Sequence, residues 1–378
     1  MLAWTAEPKV AIVSDTMVQS GGAERVVAAI AETFPAAEVF TVLYDPDRGP
    51  RSIEKRVVQS WLRRIPGSLT FAKLLVPLYP YAIESFDLRG YDIIISSHHT
   101  LAKGILRSAN QIHICYCHTP MRSLWEMPQD EILRAPGALR PFVTFMLHGL
   151  RNWDFDTASR VDQFVANSMV TSERIFKHYR RDSIVLHPPI DTDRFTPGGS
   201  VGDYYLLASR NVPYKRIDLA IAAAEKLRRR LVVVGDGTDR LATSSMNVTF
   251  LGSVSDAKLL KLMREARALI FPQHEDFGMT VLEMNACGRP VIGYGKGGAL
   301  ETIVDGKTGV IFGEQTVYSL ADAMLRFELL SFDSVAIRRH AERFSKAHFA
   351  ATLRKIIVMA CQERHGAPRE TRLTATGS

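Results

Sequence analysis

The sequence predicts an α/β protein with two doubly wound, Rossmann-like domains that face each other across a cleft. Short apolar runs rich in Val and Ile alternate with amphipathic stretches, and this rhythm occurs twice, before residue 187 and after residue 200. Several runs lack polar alternation, which is typical of strands buried on both faces of a parallel sheet. At 378 residues the chain is long enough for two separate cores. We expect any ligand to lie at the carboxyl ends of the strands.

The first domain is predicted at 1–187 from six apolar runs and one clear helix. Val26, Val27, Ile30 and Phe34 recur at helical spacing and predict a helix over 22–34. The predicted strands are 10–15, 39–44, 92–97, 113–118, 163–167 and 184–187.

The second domain is predicted at 201–345, where the same alternation of strands and helices indicates further βαβ units. Its predicted strands are 204–209, 231–235, 248–251, 269–272, 291–294 and 310–313. Its predicted helices are 217–229, 256–266, 280–286 and 318–330. Three prolines and two glycines at 188–200 predict a linker. A last helix is predicted at 346–362, and the polar tail at 366–378 is expected to be disordered.

Composition excludes several classes of protein. The chain is 46% hydrophobic and 23% charged, as in ordinary globular proteins, and no uninterrupted apolar run reaches about 18 residues, so we expect no membrane-spanning helix. No secretory signal is evident at the start. The net charge of +7 suits phosphate-bearing ligands or an anionic membrane and is too weak to indicate nucleic acid. The four cysteines are too few for a disulfide scaffold, which favours a reducing compartment. They include no C-x-x-C pair, which argues against a zinc site.

Two loops of the second domain carry features of a phosphate site. After the strand at 204–209 comes the basic run Ser-Arg-Asn-Val-Pro-Tyr-Lys-Arg at 209–216, which sets cations before a helix. The alternative is a solvated basic turn. Gly235-Asp236-Gly237 follows the next strand and permits a sharp turn close to a ligand, although by itself this pattern is weak evidence.

A third segment, at 274–283, runs from a strand end into a helix that is expected to begin near Gly278. The helix start offers unpaired backbone N–H groups. Glu275 and Glu283 can accept hydrogen bonds from ligand hydroxyls. Enzymes that hydrolyse glycosidic bonds by acid/base catalysis also use a pair of carboxylates. Sequence spacing across a loop and a helix does not fix the distance between the two carboxyl groups that this chemistry needs.

Together these segments resemble the retaining GT-B glycosyltransferases of family 4, over about residues 9–362. The resemblance also rests on the segments at 21–24 (Gly-Gly-Ala-Glu), 167–168 (Asn-Ser), 286–292 (Ala-Cys-Gly-Arg-Pro-Val-Ile) and 297–298 (Gly-Gly). It implies a nucleotide-sugar donor in the interdomain cleft, and a last helix that returns to the first domain. The residues expected to bind the donor are Gly21, Gly22, Ser209, Arg210, Lys215, Gly237, Glu275, Phe277, Gly278, Met279, Thr280 and Glu283.

The resemblance assigns these residues roles. Arg210 and Lys215 match the residues that hold the pyrophosphate, Glu283 the acid that binds the ribose, and Glu275 the acid that binds sugar hydroxyls. His118 follows the strand at 113–118; a lone histidine is usually structural, but in the family this position contacts the donor sugar. The residues expected to take part in catalysis are His118, Arg210, Lys215 and Glu275.

Catalysis is expected to need neither a metal ion nor a cofactor other than the donor substrate. Negative charge develops on the β-phosphate during transfer, and cations with N–H dipoles can stabilise it. The Asp-x-Asp pattern at Asp191 and Asp193 lies in the predicted linker. His98 and His99 also follow a strand but match nothing in the family, so we expect them to be structural.

Residues 51–80 predict a membrane-facing surface. They hold six Lys or Arg against one acid, Glu54, and Val58, Trp61, Leu62 and Ile65 fall at helical spacing. Basic, aromatic and amphipathic character together favour contact with anionic lipid. The alternative is a helix that only packs on its own domain. The candidate contact residues are Arg56, Trp61, Arg63, Arg64 and Lys73.

The segment at 116–126 resembles bacterial polysaccharide-assembly mannosyltransferases. It favours GDP-mannose as donor, a lipid-linked saccharide as acceptor and the cytoplasmic face of a membrane as location. UDP-glucose and UDP-N-acetylglucosamine stay open as donors, and the oligomeric state is not predicted. Two alternative functions are a sugar-nucleotide epimerase and a glycan-binding scaffold. The epimerase would need no acceptor, and the scaffold would tolerate loss of its phosphate-binding cations. A nicotinamide dehydrogenase is disfavoured because neither first βα turn carries G-x-G-x-x-G.

Overall fold

The computed structural model describes residues 8–19, 21–241 and 245–364, and the tail predicted at 366–378 lies outside them. The described chain forms two compact units. One contains the described residues up to Leu186 together with those from Ala350 onward, and the other is His187–Phe349. Each unit has one parallel sheet, so the predicted fold class of two Rossmann-like α/β domains is confirmed.

The first unit is built on a seven-stranded parallel sheet with the order β3-β2-β1-β4-β5-β6-β7. The central strands β1, β4 and β5 are almost wholly buried, which explains their unbroken apolar sequences. The six predicted strands are all present, with ends within two residues of the prediction. The strands are β1 (Val10–Met17), β2 (Glu38–Tyr44), β3 (Val57–Gln59), β4 (Ile93–His98), β5 (Ile112–Cys117), β6 (Gln163–Ala166) and β7 (Ser183–Val185).

The helices of the first unit cover the sheet. The predicted helix at 22–34 is confirmed as α1 (Gly22–Thr33), which buries Val26, Val27 and Ile30. Among the described residues, no helix of the protein is long and apolar enough to span a membrane. The further α-helices before Leu186 are α2 (Tyr79–Glu84), α3 (Arg122–Trp125), α4 (Pro128–Arg134), α5 (Arg140–Thr157) and α6 (Met169–Tyr179).

The helical spacing at 58–65 does not correspond to an amphipathic α-helix, so that expectation is wrong. Val57–Gln59 forms edge strand β3, in which Val57 pairs with Val39 of β2. Ser60 then caps a 3-10 turn, Trp61–Arg64, and Pro66 and Gly67 prevent the turn from continuing as a helix. A second 3-10 stretch, Ala72–Leu78, contains Pro77.

The second unit is built on a six-stranded parallel sheet with the order β10-β9-β8-β11-β12-β13. Each predicted strand is present with ends within one residue of the prediction. The strands are β8 (Tyr204–Ala208), β9 (Arg230–Val234), β10 (Val248–Phe250), β11 (Ala268–Phe271), β12 (Val291–Tyr294) and β13 (Gly309–Phe312). The helices are α7 (Ile217–Leu227), α8 (Asp256–Glu265), α9 (Met279–Ala286), α10 (Ala299–Thr302), α11 (Val317–Leu329) and α12 (Ser334–Glu342).

The predicted linker at 188–200 lies within the second unit. Ile190 and Phe195 are buried there, and the Arg338 guanidinium donates hydrogen bonds to the carbonyls of Thr192 and Phe195. This segment therefore contributes to the core of the unit despite its prolines.

The last helix, α13 (Lys346–Arg364), begins in the second unit and belongs to the first unit from Ala350 onward. Arg354 Nη2 donates to the carbonyl of Thr33 at 2.8 Å, and its guanidinium lies over the ring of Phe34. The helix thus packs at the C-terminal end of α1.

Candidate functional site

The two candidate phosphate loops of the second unit are bonded to each other. The backbone N–H of Asn211 donates to the carbonyl of Asp236 (2.8 Å), and Asn211 Nδ2 donates to the carbonyl of Gly237 (3.1 Å). Gly235 has a φ of +136°, and a Cβ built on it would lie 2.0 Å from the carbonyl oxygen of Ser209. Glycine is therefore required for the close approach. Together the loops form one surface at the carboxyl ends of β8 and β9.

Lys215 and Glu275 come from distant parts of the sequence and are in direct contact. Lys215 ends the 3-10 turn Pro213–Lys215, and its Nζ contacts Glu275 Oε1. The two side chains are only 15% and 21% exposed. Burial, and secondarily the charge of Arg210, lower the pKa of Lys215 to about 8, while the adjacent carboxylate acts in the opposite direction. Arg210 is exposed beside this pair on the same loop.

The backbone at Glu275 is fixed by a pair of glycines. Gly298 donates its N–H to the carbonyl of Glu275 at 2.9 Å, and Glu275 and Gly297 form an isolated parallel bridge. A Cβ on Gly298 would lie 2.1 Å from Cα of Phe277. The Gly297-Gly298 pair therefore lets the two loops pack backbone to backbone, which positions the carboxylate.

Helix α9 begins directly after this loop. Gly278, with a φ of +90°, is its N-cap, and the helix itself supplies no acceptors for the first N–H groups, those of Met279 and Thr280. The side chain of Phe277 is buried and stacks on His187 with ring centroids 5.1 Å apart. Phe277 is thus held by its ring, and the residue as a whole is only 3% exposed.

Glu283 lies on the second turn of α9 and is 4% exposed. A buried carboxylate is stable only when its environment supplies hydrogen bonds or charge. Its position on the helix that follows Glu275 puts both predicted carboxylates in one strand-to-helix segment. In the described residues no cluster of three or more His, Cys, Asp or Glu side chains could hold a metal ion.

His118 lies at the carboxyl end of β5 in the first unit. Its Nε2 is hydrogen bonded to Ser97 Oγ at 2.8 Å, and its backbone N–H donates to the carbonyl of His98. Burial, with a smaller contribution from His99, lowers the pKa of His118 to about 3. The imidazole is therefore neutral at physiological pH and can act as a hydrogen-bond partner but not as a charged acid.

Two residues beside His118 were not singled out as site residues by the sequence. Asp15 is fully buried at the end of β1, and its carboxylate accepts the backbone N–H groups of His99, Thr100, Leu101 and Ala102 at 2.5–2.8 Å. His99, expected to be structural, packs its ring edge-on against His118, and its Nδ1 lies 3.2 Å from Asp15 Oδ2. The sequence signal that could have identified Asp15 is an acidic residue at the carboxyl end of a buried strand.

A buried ion pair supports the loop that Asp15 holds. Lys103 and Asp154 are both fully buried, with Nζ 2.5 Å from Oδ1. The other carboxylate oxygen, Oδ2, accepts hydrogen bonds from Trp125 Nε1 and from the Tyr179 hydroxyl. These bonds satisfy both oxygens in the interior, so the network holds the loop after β4 in one conformation.

Gly21 and Gly22, which are expected to bind the donor, lie at the start of α1. Gly21 is the N-cap and Gly22 the first helical residue. The N–H of Gly21 donates to Glu24 Oε2 at 3.0 Å, and a Cβ on Gly21 would lie 2.6 Å from that same oxygen. The absence of a side chain at Gly21 therefore allows Glu24 to close over the helix start.

One of the five candidate membrane residues has another role. The Nη1 of Arg56 donates to four carbonyls at the C-terminal end of α1, those of Ala31, Phe34, Pro35 and Ala37. Arg56 therefore caps α1 and is only half-exposed. The other four candidates, Trp61, Arg63, Arg64 and Lys73, are all exposed.

Two protein families match consecutive parts of the chain. Residues 20–194 match the family described as Glycosyltransferase Family 4. Residues 193–347 match the family described as Glycosyl transferases group 1.

Curated relatives match part of the chain at about 30% identity. A D-inositol 3-phosphate glycosyltransferase of Mycolicibacterium smegmatis is 30% identical over 220 residues, which are 50% of the chain and 50% of the relative. The enzyme of the same name from Geodermatophilus obscurus is 31% identical over 228 residues, again half of each protein. The chain thus spans about half the length of the curated relatives that it matches.

Solved structures share the fold over nearly the whole chain. Anabaena HepE in complex with UDP and glucose has a TM-score of 0.68 at 18% identity, covering 93% of this chain and 100% of that one. A sucrose-phosphate synthase from Thermosynechococcus elongatus has a TM-score of 0.69 at 17% identity, covering 94% and 100%. At such identities the likeness is one of fold.

Proposed function

We propose that the chain is a GT-B glycosyltransferase that transfers a hexosyl group from a nucleoside diphosphate sugar to an acceptor hydroxyl. The support from similarity is that two consecutive parts of the chain match Glycosyltransferase Family 4 and Glycosyl transferases group 1. The observation that carries the proposal is the contact of Lys215 Nζ with Glu275, which joins a cation and a carboxylate at the carboxyl ends of strands. A donor needs both, one for its diphosphate and one for its sugar hydroxyls.

In this proposal, donor binding breaks the contact between Lys215 and Glu275, and each side chain then binds a different part of the donor. The diphosphate takes over the ammonium group of Lys215 and the guanidinium of Arg210, and the released Glu275 carboxylate accepts hydrogen bonds from sugar hydroxyls. Glu283 binds the ribose hydroxyls. The N–H groups at 277–280 face the sugar and phosphate. The resemblance assigns donor contacts to His118, Gly21 and Gly22 as well. Ser209 and Gly237 line the phosphate loops.

The reaction breaks the bond between the anomeric carbon and the β-phosphate oxygen, and the electron pair stays on that oxygen. A new bond forms from the acceptor oxygen to the same face of the anomeric carbon, so the configuration is retained. The acceptor proton passes to the leaving phosphate. Arg210, Lys215 and the start of α9 stabilise the charge that develops there, and we propose that no metal ion is required.

We propose GDP-mannose as the donor, on the resemblance of the segment at 116–126 to bacterial mannosyltransferases. A UDP-sugar is the second candidate, and the observation that favours it is the presence of UDP and glucose in the HepE structure with the same fold. A panel of donors separates the two.

We propose that the acceptor is a lipid-linked saccharide and that the protein acts at the cytoplasmic face of a membrane. The support is the exposed basic and aromatic surface formed by Trp61, Arg63, Arg64 and Lys73, which suits anionic lipid headgroups. Arg56 is left out of this surface because its guanidinium is bound to α1.

The test measures release of nucleoside diphosphate by the full chain from GDP- and UDP-sugars, with and without a lipid-linked saccharide extract. We expect one donor to react, faster with acceptor, and Lys215→Ala to slow the reaction about 10²-fold or more. Lys261→Ala, a change at a 65% exposed lysine on α8, is the control and is expected to leave activity unchanged. No release from any donor by the folded protein would overturn the proposal, and a changed nucleotide sugar without acceptor would indicate an epimerase.

A further inference from the structure

The first unit exposes large apolar side chains over residues 133–145, where α4 gives way to α5. Phe142 and Phe145 are 64% and 76% exposed, and Leu133 and Leu139 are 60% and 53% exposed. Neither α4 nor the 3-10 turn Gly137–Leu139 contains a buried residue. Four large apolar side chains exposed within thirteen residues make this segment a candidate interaction site.

The packing of α5 fixes the direction of its phenylalanines. Leu147 and Leu150 are buried in the core of the first unit, and Val143 and Met146 pack against that core. These four positions follow helical spacing and define the inner face. Phe142 and Phe145 therefore lie on the outer face of the helix, turned away from the core of their own unit.

The basic surface of the same unit packs on the same core. Leu62, Ala72 and Tyr79 belong to the hydrophobic cluster that contains Leu147 and Leu150. Trp153 Nε1 of α5 donates to Glu84 Oε1 of α2 at 3.1 Å, which joins the two segments directly. The residues between β3 and α2 therefore share one core with α5, and α2 contacts α5 directly.

This neighbouring surface is positively charged and aromatic. Arg63, Arg64 and Lys73 are exposed, and no Asp or Glu occurs between residues 57 and 83. None of these three cations has an ion-pair partner among the described residues. Phe71, Leu74 and Tyr81 are 55%, 76% and 67% exposed beside them. Unpaired cations beside exposed aromatic rings are typical of segments that lie in an anionic lipid interface.

We propose that the residues at 133–145 insert into the interfacial layer of an anionic bilayer, with Phe142 and Phe145 as the main anchors, while Arg63, Arg64 and Lys73 bind the headgroups. The inference deepens the proposed membrane contact and rests on it, but it is independent of the transfer reaction. It assigns the apolar part of membrane binding to α5, whereas the basic surface supplies the electrostatic part.

The experiment measures binding of the purified full chain to sedimentable vesicles, with neither donor nor acceptor present. One set of vesicles is phosphatidylcholine alone, and the other contains one-third phosphatidylglycerol. Phe142→Ser, Phe145→Ser and the double variant are compared with Leu329→Ser, a change at an 87% exposed leucine on α11 of the second unit. Leu139→Ser is a second variant of the same surface, and thermal unfolding checks that each variant is folded.

We expect wild type to bind the anionic vesicles and each Phe→Ser change to weaken binding about tenfold or more, because each ring loses its apolar burial. Leu329→Ser binds as wild type does. Arg63→Gln and Arg64→Gln each weaken binding about fivefold at low salt and much less at high salt. The phenylalanine effects persist at both salt concentrations.

Equal binding by the double phenylalanine variant and wild type would overturn this inference and leave the basic surface in place. No binding of wild type to anionic vesicles would overturn the proposed membrane contact itself, whatever the outcome of the donor assay. A wild-type dimer that Phe142→Ser and Phe145→Ser convert to monomer would show that a second copy of the chain covers this face, and would overturn the bilayer as its partner.

Discussion

Replacing Lys215 by arginine should remove a pH dependence that the wild-type protein shows above pH 7. Burial and Arg210 lower the pKa of Lys215 to about 8. Because a lowered pKa means that the charge is lost as the pH rises through that value, the protonated fraction falls from about nine-tenths at pH 7 to about one-tenth at pH 9. If the ammonium group binds the donor diphosphate, kcat/KM should fall about tenfold over this range.

The assay is donor kcat/KM from nucleotide release at pH 7, 8 and 9, since this parameter reports the free enzyme. Arginine stays protonated throughout, so Lys215→Arg should give a nearly flat profile even if its absolute rate is lower. Titration of the donor base would affect both proteins equally. The reasoning fails if the two profiles fall in parallel or if the wild-type profile is flat. Lys215→Ala should lose about 10²-fold at pH 7, and activity within about twofold of wild type would refute the phosphate assignment.

Three further predictions concern stability, each measured by urea unfolding. Gly235→Ala should cost at least ~2 kcal/mol because of its positive φ and its contact with the neighbouring loop, whereas Gly313→Ala, with open space around it, should change stability by less than ~0.5 kcal/mol. Lys103→Met should cost ~3–5 kcal/mol because it leaves the Asp154 carboxylate buried without its cation; a loss below ~1 kcal/mol would contradict this. Because the pKa of His118 is lowered to about 3, protonation of this one histidine in the unfolded chain should contribute a loss of ~2 kcal/mol between pH 7 and pH 5. His118→Gln should lose correspondingly less over that interval, and an equal loss would argue against a neutral buried imidazole.

Strands were predictable because burial on both faces of a parallel sheet leaves an unbroken apolar run. Residues 291–294 illustrate this, since the predicted and observed strand agree at both ends. The prediction at 58–65 was wrong because apolar spacing alone does not distinguish a helix from an edge strand followed by a 3-10 turn. Ser60 caps the 3-10 turn, and Pro66 lacks the N–H donor that a continuing helix would need. Apolar spacing takes neither effect into account.

The sequence allowed site residues to be proposed where they share one short segment. Glu275, Gly278 and Glu283 are such a group, and the loops at 209–216 and 235–237 each carry their own pattern. The contact of Asp15 with the backbone at His99 joins residues far apart in the sequence, and only the register of β1 beside β4 brings them together. No local pattern encodes that pairing, so the environment of His118 required the structure.

The return of α13 to the first unit has a consequence for biosynthesis. Leu353, Ile356 and Ile357 are buried in a unit whose other described residues end at Leu186. On the ribosome, the chain from His187 to Phe349 must be synthesised before the closing helix exists, which takes about 10 to 30 s at ordinary elongation rates. The first unit therefore stays incomplete while the second unit is synthesised, and the helical residues from Ala350 onward complete it afterwards.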